Sequence, residues 1–156
     1  MDSADGLRSI EEIRQVKYRH LRCIDQKLWD EIGDTLTADA VLDYGTVAYG
    51  RPLEVRGRSG IAEFFRVKLG PDIVTAHTAG QPEIAIDPDG GTASGVWSSQ
   101  DTVIATEHGI RINGAAFCFD RYRRERDGRW RIARTCSLRT HETMISLADL
   151  PSFRLT

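Results

Sequence analysis

Three short stretches, Pro88-Asp89-Gly90-Gly91, Glu107-His108-Gly109 and Arg126-Asp127-Gly128, govern what the second half of this chain can fold into. Glycine and aspartate tolerate the backbone conformations that a tight hairpin requires, so each stretch reads as a turn between antiparallel strands. The segments they separate are rich in β-branched and aromatic residues. Ile73 to Ala79, Glu83 to Asp87, Thr92 to Ala105, Ile110 to Arg124 and Trp130 to Arg139 are therefore expected strands. The second half is predicted to be a meander of long strands.

The first half has a different period. Leu7, Ile10, Val16, Leu21, Ile24 and Leu28 recur at spacings close to three and four, as on the buried face of a helix. Ser9-Ile10-Glu11-Glu12 has the form of a capping box, and the helix is expected to reach about Leu28. Trp29 to Asp34 reads as the helix end or a second short helix, Val41 to Tyr44 as a strand, and Tyr49-Gly50-Arg51-Pro52 as loop. Ser59 can cap a third helix, Gly60 to Leu69, which Gly70-Pro71 stops. About three helices followed by a curved, mixed or antiparallel sheet define an α+β class, in which helices gather on one face and leave a pocket between the layers.

At 156 residues the chain is expected to form one domain spanning 1–156, with 144–156 as a C-terminal tail. A net charge of −2 gives no reason to expect nucleic acid or an anionic membrane as partner, and no apolar run is long enough to span a bilayer. The first residues do not read as a signal peptide. Cys23, Cys118 and Cys136 are odd in number and irregular in spacing, so a disulfide framework is not expected. The expected setting is cytoplasmic.

One residue breaks the helical stripe. Asp25 lies four residues after Leu21 and three before Leu28, on the face that should be apolar. A carboxylate there is wetted at the edge of the stripe, paired, or set in a cavity, because burying it alone costs several kcal/mol. His77, inside an apolar strand, shares a face with Ile73, Thr75 and Ala79; it is a structural histidine bonded to backbone or a functional one. Tyr44 reads as core with a hydroxyl in need of a partner, and Trp97 and Asp101 share a strand face. Arg134 and Arg139, five apart, lie on opposite faces. The sequence has no dinucleotide or phosphate-binding glycine loop, no nucleophile elbow, and no metal-ligand spacing among His20, His77, His108 and His141, so no metal and no cofactor are expected.

The order of these residues is similar to that of a known family. Asp25 followed by Lys27-Leu28-Trp29-Asp30, then Asp43-Tyr44, then Thr75-Ala76-His77, then Tyr122 to Ile132 with its Asp127-Gly128 turn and Trp130, resembles the SnoaL-like branch of the NTF2-like superfamily. That branch neighbours scytalone dehydratase, bile acid 7α-dehydratase and lindane dehydrochlorinase. The resemblance implies a cone-like, cystatin-like fold around a deep pocket. It further implies a cofactor-independent lyase of the dehydratase type, or an isomerase, acting on an apolar cyclic or polycyclic molecule. Asp25 would orient His77 as base, with Tyr44 assisting. His20, as a second acid or leaving-group ligand, would contact substrate together with Trp97, Arg139, Phe65 and Phe117 or Phe119, and self-association as a dimer or trimer is expected. Ile24, Ala116 and Cys118 replace residues that scytalone dehydratase uses, so scytalone itself is not the expected substrate. The alternative is a non-catalytic module of the same fold that binds a small molecule or a partner chain.

Overall fold

The computed structural model describes residues 3–45 and 53–155. Helix α1 (Ser3–Asp25) is followed by the short α2 (Trp29–Ile32), a 3-10 turn (Gly33–Thr35), strand β1 (Leu36–Gly45), strand β2 (Leu53–Arg56) and α3 (Arg58–Lys68). Four long strands complete the sheet: β3 (Ile73–Ile86), β4 (Thr92–Ala105), β5 (Ile110–Arg124) and β6 (Trp130–Ser146), with a last 3-10 turn at Leu147–Asp149. The six described strands form one mixed sheet in the order β2-β1-β6-β5-β4-β3. β1 runs parallel to β6, and every other neighbouring pair is antiparallel. Gly90, Gly109 and Gly128 hold the three hairpin turns at positive φ, where a side chain would be strained.

Helix α1 lies across the inner face of the sheet because Ile13, Val16, Cys23 and Ile24 form its apolar stripe. They meet Trp97, Tyr122 and Ile132 from β4, β5 and β6 in one core. Burying each such side chain contributes roughly 1.5–3 kcal/mol relative to leaving it in water.

Several boundaries differ from the sequence reading. Helix α1 starts at Ser3, so Ser9 caps nothing; it is buried within the helix, and its Oγ accepts a bond of 2.8 Å from Arg124. The helix stops at Asp25, not Leu28, because Lys27 adopts φ 59°, and the Leu28 N–H turns back to the Cys23 carbonyl at 2.9 Å. Helix α3 begins at Arg58, with Gly57 at φ 79° before it, and no side chain caps it. The expected strands at Ile73 to Ala79 and Glu83 to Asp87 are one bent strand; its register shifts between Gly80 and Glu83, with Gln81 at φ 48°. Strand β6 continues past Arg139 to Ser146, so Met144 and Ile145 are strand residues and the tail begins at Leu147. The expected loop Tyr49-Gly50-Arg51-Pro52 lies outside the described residues.

Candidate functional site

Between the inner face of the sheet and helices α1 and α3 lie two adjoining volumes, of about 80 and about 390 Å³. They share Ile24, Tyr44, His77, Asp101 and Arg139 as walls. The larger volume is lined mainly by apolar side chains, including Phe64, Phe65, Leu69 and Val103. The smaller is more polar, with Lys17, His20, Ser99 and Thr135 around it.

His77, one of these shared walls, is bonded to Asp25. Asp25 is the last residue of α1, where the negative end of the helix dipole disfavours a carboxylate. Strand β3 supplies compensation. The His77 backbone N–H donates to Asp25 Oδ2 at 2.8 Å, and Thr75 Oγ1 donates to Oδ1 at 2.9 Å. His77 Nδ1 lies 2.6 Å from the same Oδ1. Burial pushes the Asp25 carboxyl pKa up, but the His77 ring and backbone bonds outweigh it and hold the group below its ordinary value. An ionised Asp25 accepts only, so Nδ1 of His77 carries a proton and donates it, and in the neutral imidazole Nε2 is the lone pair. Lys27 Nζ also approaches Thr75 Oγ1, at 3.4 Å. Both members of the pair also line a cleft between α1 and β3, beside Tyr18 and Gln26, through which solvent reaches them. Nitrogen-15 NMR is expected to show His77 as the Nδ1-protonated tautomer in wild type and a tautomer mixture in Asp25→Asn. An unchanged tautomer in that variant would remove Asp25 from the role of orienting group.

His20 is buried and lines the smaller volume. Its Nδ1 is 2.9 Å from Thr35 Oγ1, and that hydroxyl donates its own proton to the Ile32 carbonyl at 2.6 Å. His20 Nδ1 must therefore be the donor. Burial, with the Lys17 charge adding to it, pushes the His20 pKa down to about 3. The ring is neutral near pH 7 and cannot serve there as the second acid suggested by its position in the sequence. Tyr44 lines both volumes and meets Phe65 edge-on at 6.3 Å. Arg139 reaches Asp101 with both terminal nitrogens and lies 3.3 Å from Glu142 through Nε. Arg134, on the other face, pairs with Asp43 at 2.8 Å.

The SnoaL-like domain, as a family model, matches residues 5–135 of this chain. The chain belongs to the SnoaL-like domain family. Solved structures agree on the fold. A hexachlorocyclohexane dehydrochlorinase, LinA-type3 of Novosphingobium barchaimii, superposes with a TM-score of 0.81 over 99% of both chains at 15% identity. A scytalone dehydratase-like protein of Novosphingobium aromaticivorans gives 0.79 over 91% of both chains at 15% identity. An NTF2-like protein with a cystatin-like fold, also from Novosphingobium aromaticivorans, gives 0.69 at 21% identity, covering 86% of this chain and 83% of its own. At these identities the likeness establishes the fold, NTF2-like and α+β with an open sheet.

The SnoaL-like fold brings His77, Tyr44, His20, Phe65 and Arg139 to the walls of the two adjoining volumes, with Asp25 bonded to His77 from the cleft between α1 and β3. It leaves Trp97 and Phe117 elsewhere, correcting two expected substrate contacts. Trp97 is fully buried in the core, where its indole N–H donates to the Tyr122 hydroxyl at 2.9 Å and its ring meets Tyr18 edge-on. Phe117 is 48% exposed, because strand alternation turns Ala116 and Cys118 inward and Phe117 and Phe119 outward. The sequence reading also missed the buried Lys17–Asp120 pair, 2.7 Å apart. Lys17 falls seven residues from both Ile10 and Ile24, on the very stripe that exposed Asp25, and the same test would have found it. Among the described residues, no cluster of three His, Cys, Asp or Glu side chains is placed to hold a metal ion, and no helix is long and apolar enough to cross a membrane.

Proposed function

We propose that this SnoaL-like protein is a cofactor-independent lyase of the dehydratase type, or an isomerase using the same proton transfer, acting on an apolar cyclic or polycyclic molecule. The observation that carries this reading is His77, which lines a mainly apolar cavity of about 390 Å³ while its ring is held through Nδ1 by Asp25. In the proposed step, Nε2 takes a proton from a carbon next to an electron-withdrawing group. The C–H electron pair becomes the new double bond, and the bond to the leaving hydroxyl breaks. The imidazolium, stabilised by Asp25, then returns its proton to the departing hydroxide, so water is released and His77 is regenerated. An isomerase would return the same proton to a second carbon. Tyr44, at the junction of the two volumes, is proposed to polarise the activating group. The dehydrochlorinase and dehydratase names attached to similar folds agree with an elimination.

A panel of β-hydroxy cyclic ketones, followed by the absorbance of the enone product, tests the proposal. Wild type is expected to turn over at least one member. Asp25→Asn and His77→Gln are expected to lose about 10²–10⁴-fold in kcat/KM, the range for a positioned general base, with unchanged circular dichroism. Turnover that survives His77→Gln would defeat the mechanism. Tight binding without turnover in wild type would select the non-catalytic binding module instead.

A further inference from the structure

Two buried groups that line the smaller volume have hydrogen-bonding capacity that the protein's own bonds do not use. Lys17 and His20 lie three residues apart on one face of α1, and both line that volume. The Lys17 side chain is 3% exposed, and His20 is 3% exposed. One Lys17 N–H donates to Asp120 Oδ2 at 2.7 Å, and the ammonium stands 5.9 Å from the centre of the Trp97 ring. An ammonium has further N–H groups to give, and among the described residues no second acceptor meets them. His20 Nδ1 donates to Thr35, so in the neutral ring Nε2 is a lone pair, and among the described residues no donor meets it. Two hydroxyls lining the same volume are already engaged. Thr135 Oγ1 donates to Asp120 Oδ1 at 2.6 Å, and Ser99 Oγ to the Ala116 carbonyl at 3.1 Å.

A buried ammonium and a buried ring nitrogen short of partners cost free energy that a polar atom bonded to both would recover. The volume beside them is about 80 Å³, where a water needs about 10–15 Å³, so a hydroxyl group fits. It adjoins the apolar cavity and shares Ile24 and Tyr44 with it, within reach of a substituent on a ligand held there. The two protein groups also dictate the chemistry of their partner. It must accept from an ammonium and donate to a ring nitrogen. An alcohol oxygen does both, whereas a ketone, an ether or a halogen substituent only accepts and would leave Nε2 unpaired.

We infer that the smaller volume is a hydroxyl subsite, in which Lys17 donates to, and His20 Nε2 accepts from, an alcohol group of the ligand held in the apolar cavity. The inference rests on the proposal that this cavity takes an apolar small molecule, and it adds a ligand class, alcohols in preference to the matching ketones. Lys17 and His20 bind in this arrangement, and neither passes on a proton.

The probes are 2-decalol and 2-decalone, alike in ring system and differing in the ability to donate, titrated into the whole protein by calorimetry at pH 7. Neither has a leaving group beside an activating carbonyl, so binding is read without turnover. Wild type is expected to bind the alcohol about tenfold tighter or more, because the ketone leaves a buried acceptor unsatisfied. His20→Leu should close that gap. Lys17→Met/Asp120→Asn removes the donor together with its counter-charge, and should weaken alcohol and ketone alike while the ratio between them stays near its wild-type value. Should His20→Leu fold poorly, nitrogen-15 NMR of wild type decides: the His20 Nε2 resonance must move on adding decalol and stay on adding decalone. Equal affinities in wild type, a preference that His20→Leu leaves intact, or an Nε2 resonance indifferent to decalol would show that the subsite holds water only. Each would overturn the inference while leaving the small-molecule pocket standing. Failure of both probes to bind up to their solubility limit would overturn the pocket reading, and this inference with it.

Discussion

Asp120→Asn is expected to lower the unfolding free energy by about 3–5 kcal/mol, the usual cost of leaving one member of a buried ion pair without its counter-charge. Lys17 and Asp120 are each 2% exposed, and their charged atoms are 2.7 Å apart. Burial alone would push the Lys17 ammonium pKa down, but the Asp120 charge outweighs it and raises the pKa, so Lys17 stays charged in the interior. Asp120 also accepts from Tyr122 at 2.7 Å and from Thr135 at 2.6 Å, and Trp97 donates to Tyr122. Charge and hydrogen bonds thus join α1, β4, β5 and β6 beneath the smaller cavity. Neutralising Asp120 leaves those hydroxyls an amide partner and strands the ammonium. Lys17→Met/Asp120→Asn should therefore be more stable than Asp120→Asn alone, a non-additivity readable in urea denaturation. Equal midpoints for the two variants would show that the charge on Lys17 is not what the single change exposes.

The architecture was legible where periodicity and turn chemistry agree. Gly90, Gly109 and Gly128 mark the hairpins because positive φ selects glycine there, and the core residues of α1 announce themselves at helical spacing. Strand β6 was read short for a physical reason. Beyond Arg139 its inward residues face a cavity and an ion cluster instead of the core, so Thr140-His141-Glu142-Thr143 shows no apolar alternation. Strand β3 was read as two because Gly80-Gln81-Pro82 resembles a turn. The backbone bends there without losing its partner, with pairing to β4 resuming at Glu83.

The site divides along the same line. Asp25 was visible as a carboxylate on an apolar stripe, and His77 as a polar ring in an apolar strand. Their bond, together with those of Thr75 and the His77 backbone, depends on how α1 crosses β3, which no local spacing encodes. The Asp101–Arg139–Glu142 cluster needs three strand registers and a bulge. Phe117 was misassigned because an aromatic residue in a strand suggests an inner wall. Here the inner face carries the small Ala116 and Cys118, while Phe117 and Leu138, adjacent in register, are exposed on the other face.

His20 should make the protein measurably less stable in mild acid. Its pKa in the fold is about 3, against 6.5 for an unperturbed histidine, because burial and the Lys17 charge both oppose protonation. The unfolded chain therefore binds a proton at this position that the folded chain refuses, and stability must fall as pH drops through the interval between the two values. Each unit costs about 1.4 kcal/mol, so about 3 kcal/mol is lost from this group between pH 6.5 and pH 4. Asp25 works in a lower window. Its depressed folded pKa contributes stability above the unfolded value of 3.8, and that contribution disappears as pH falls through the folded pKa, so the two effects separate. His20→Met would forfeit the bond to Thr35 and lower stability at pH 7, yet it should flatten the slope of unfolding free energy between pH 6.5 and 4 by most of that amount. A slope unchanged in His20→Met would mean that the ring already carries its proton in the fold, and that the 2.9 Å contact with Thr35 does not fix a neutral tautomer.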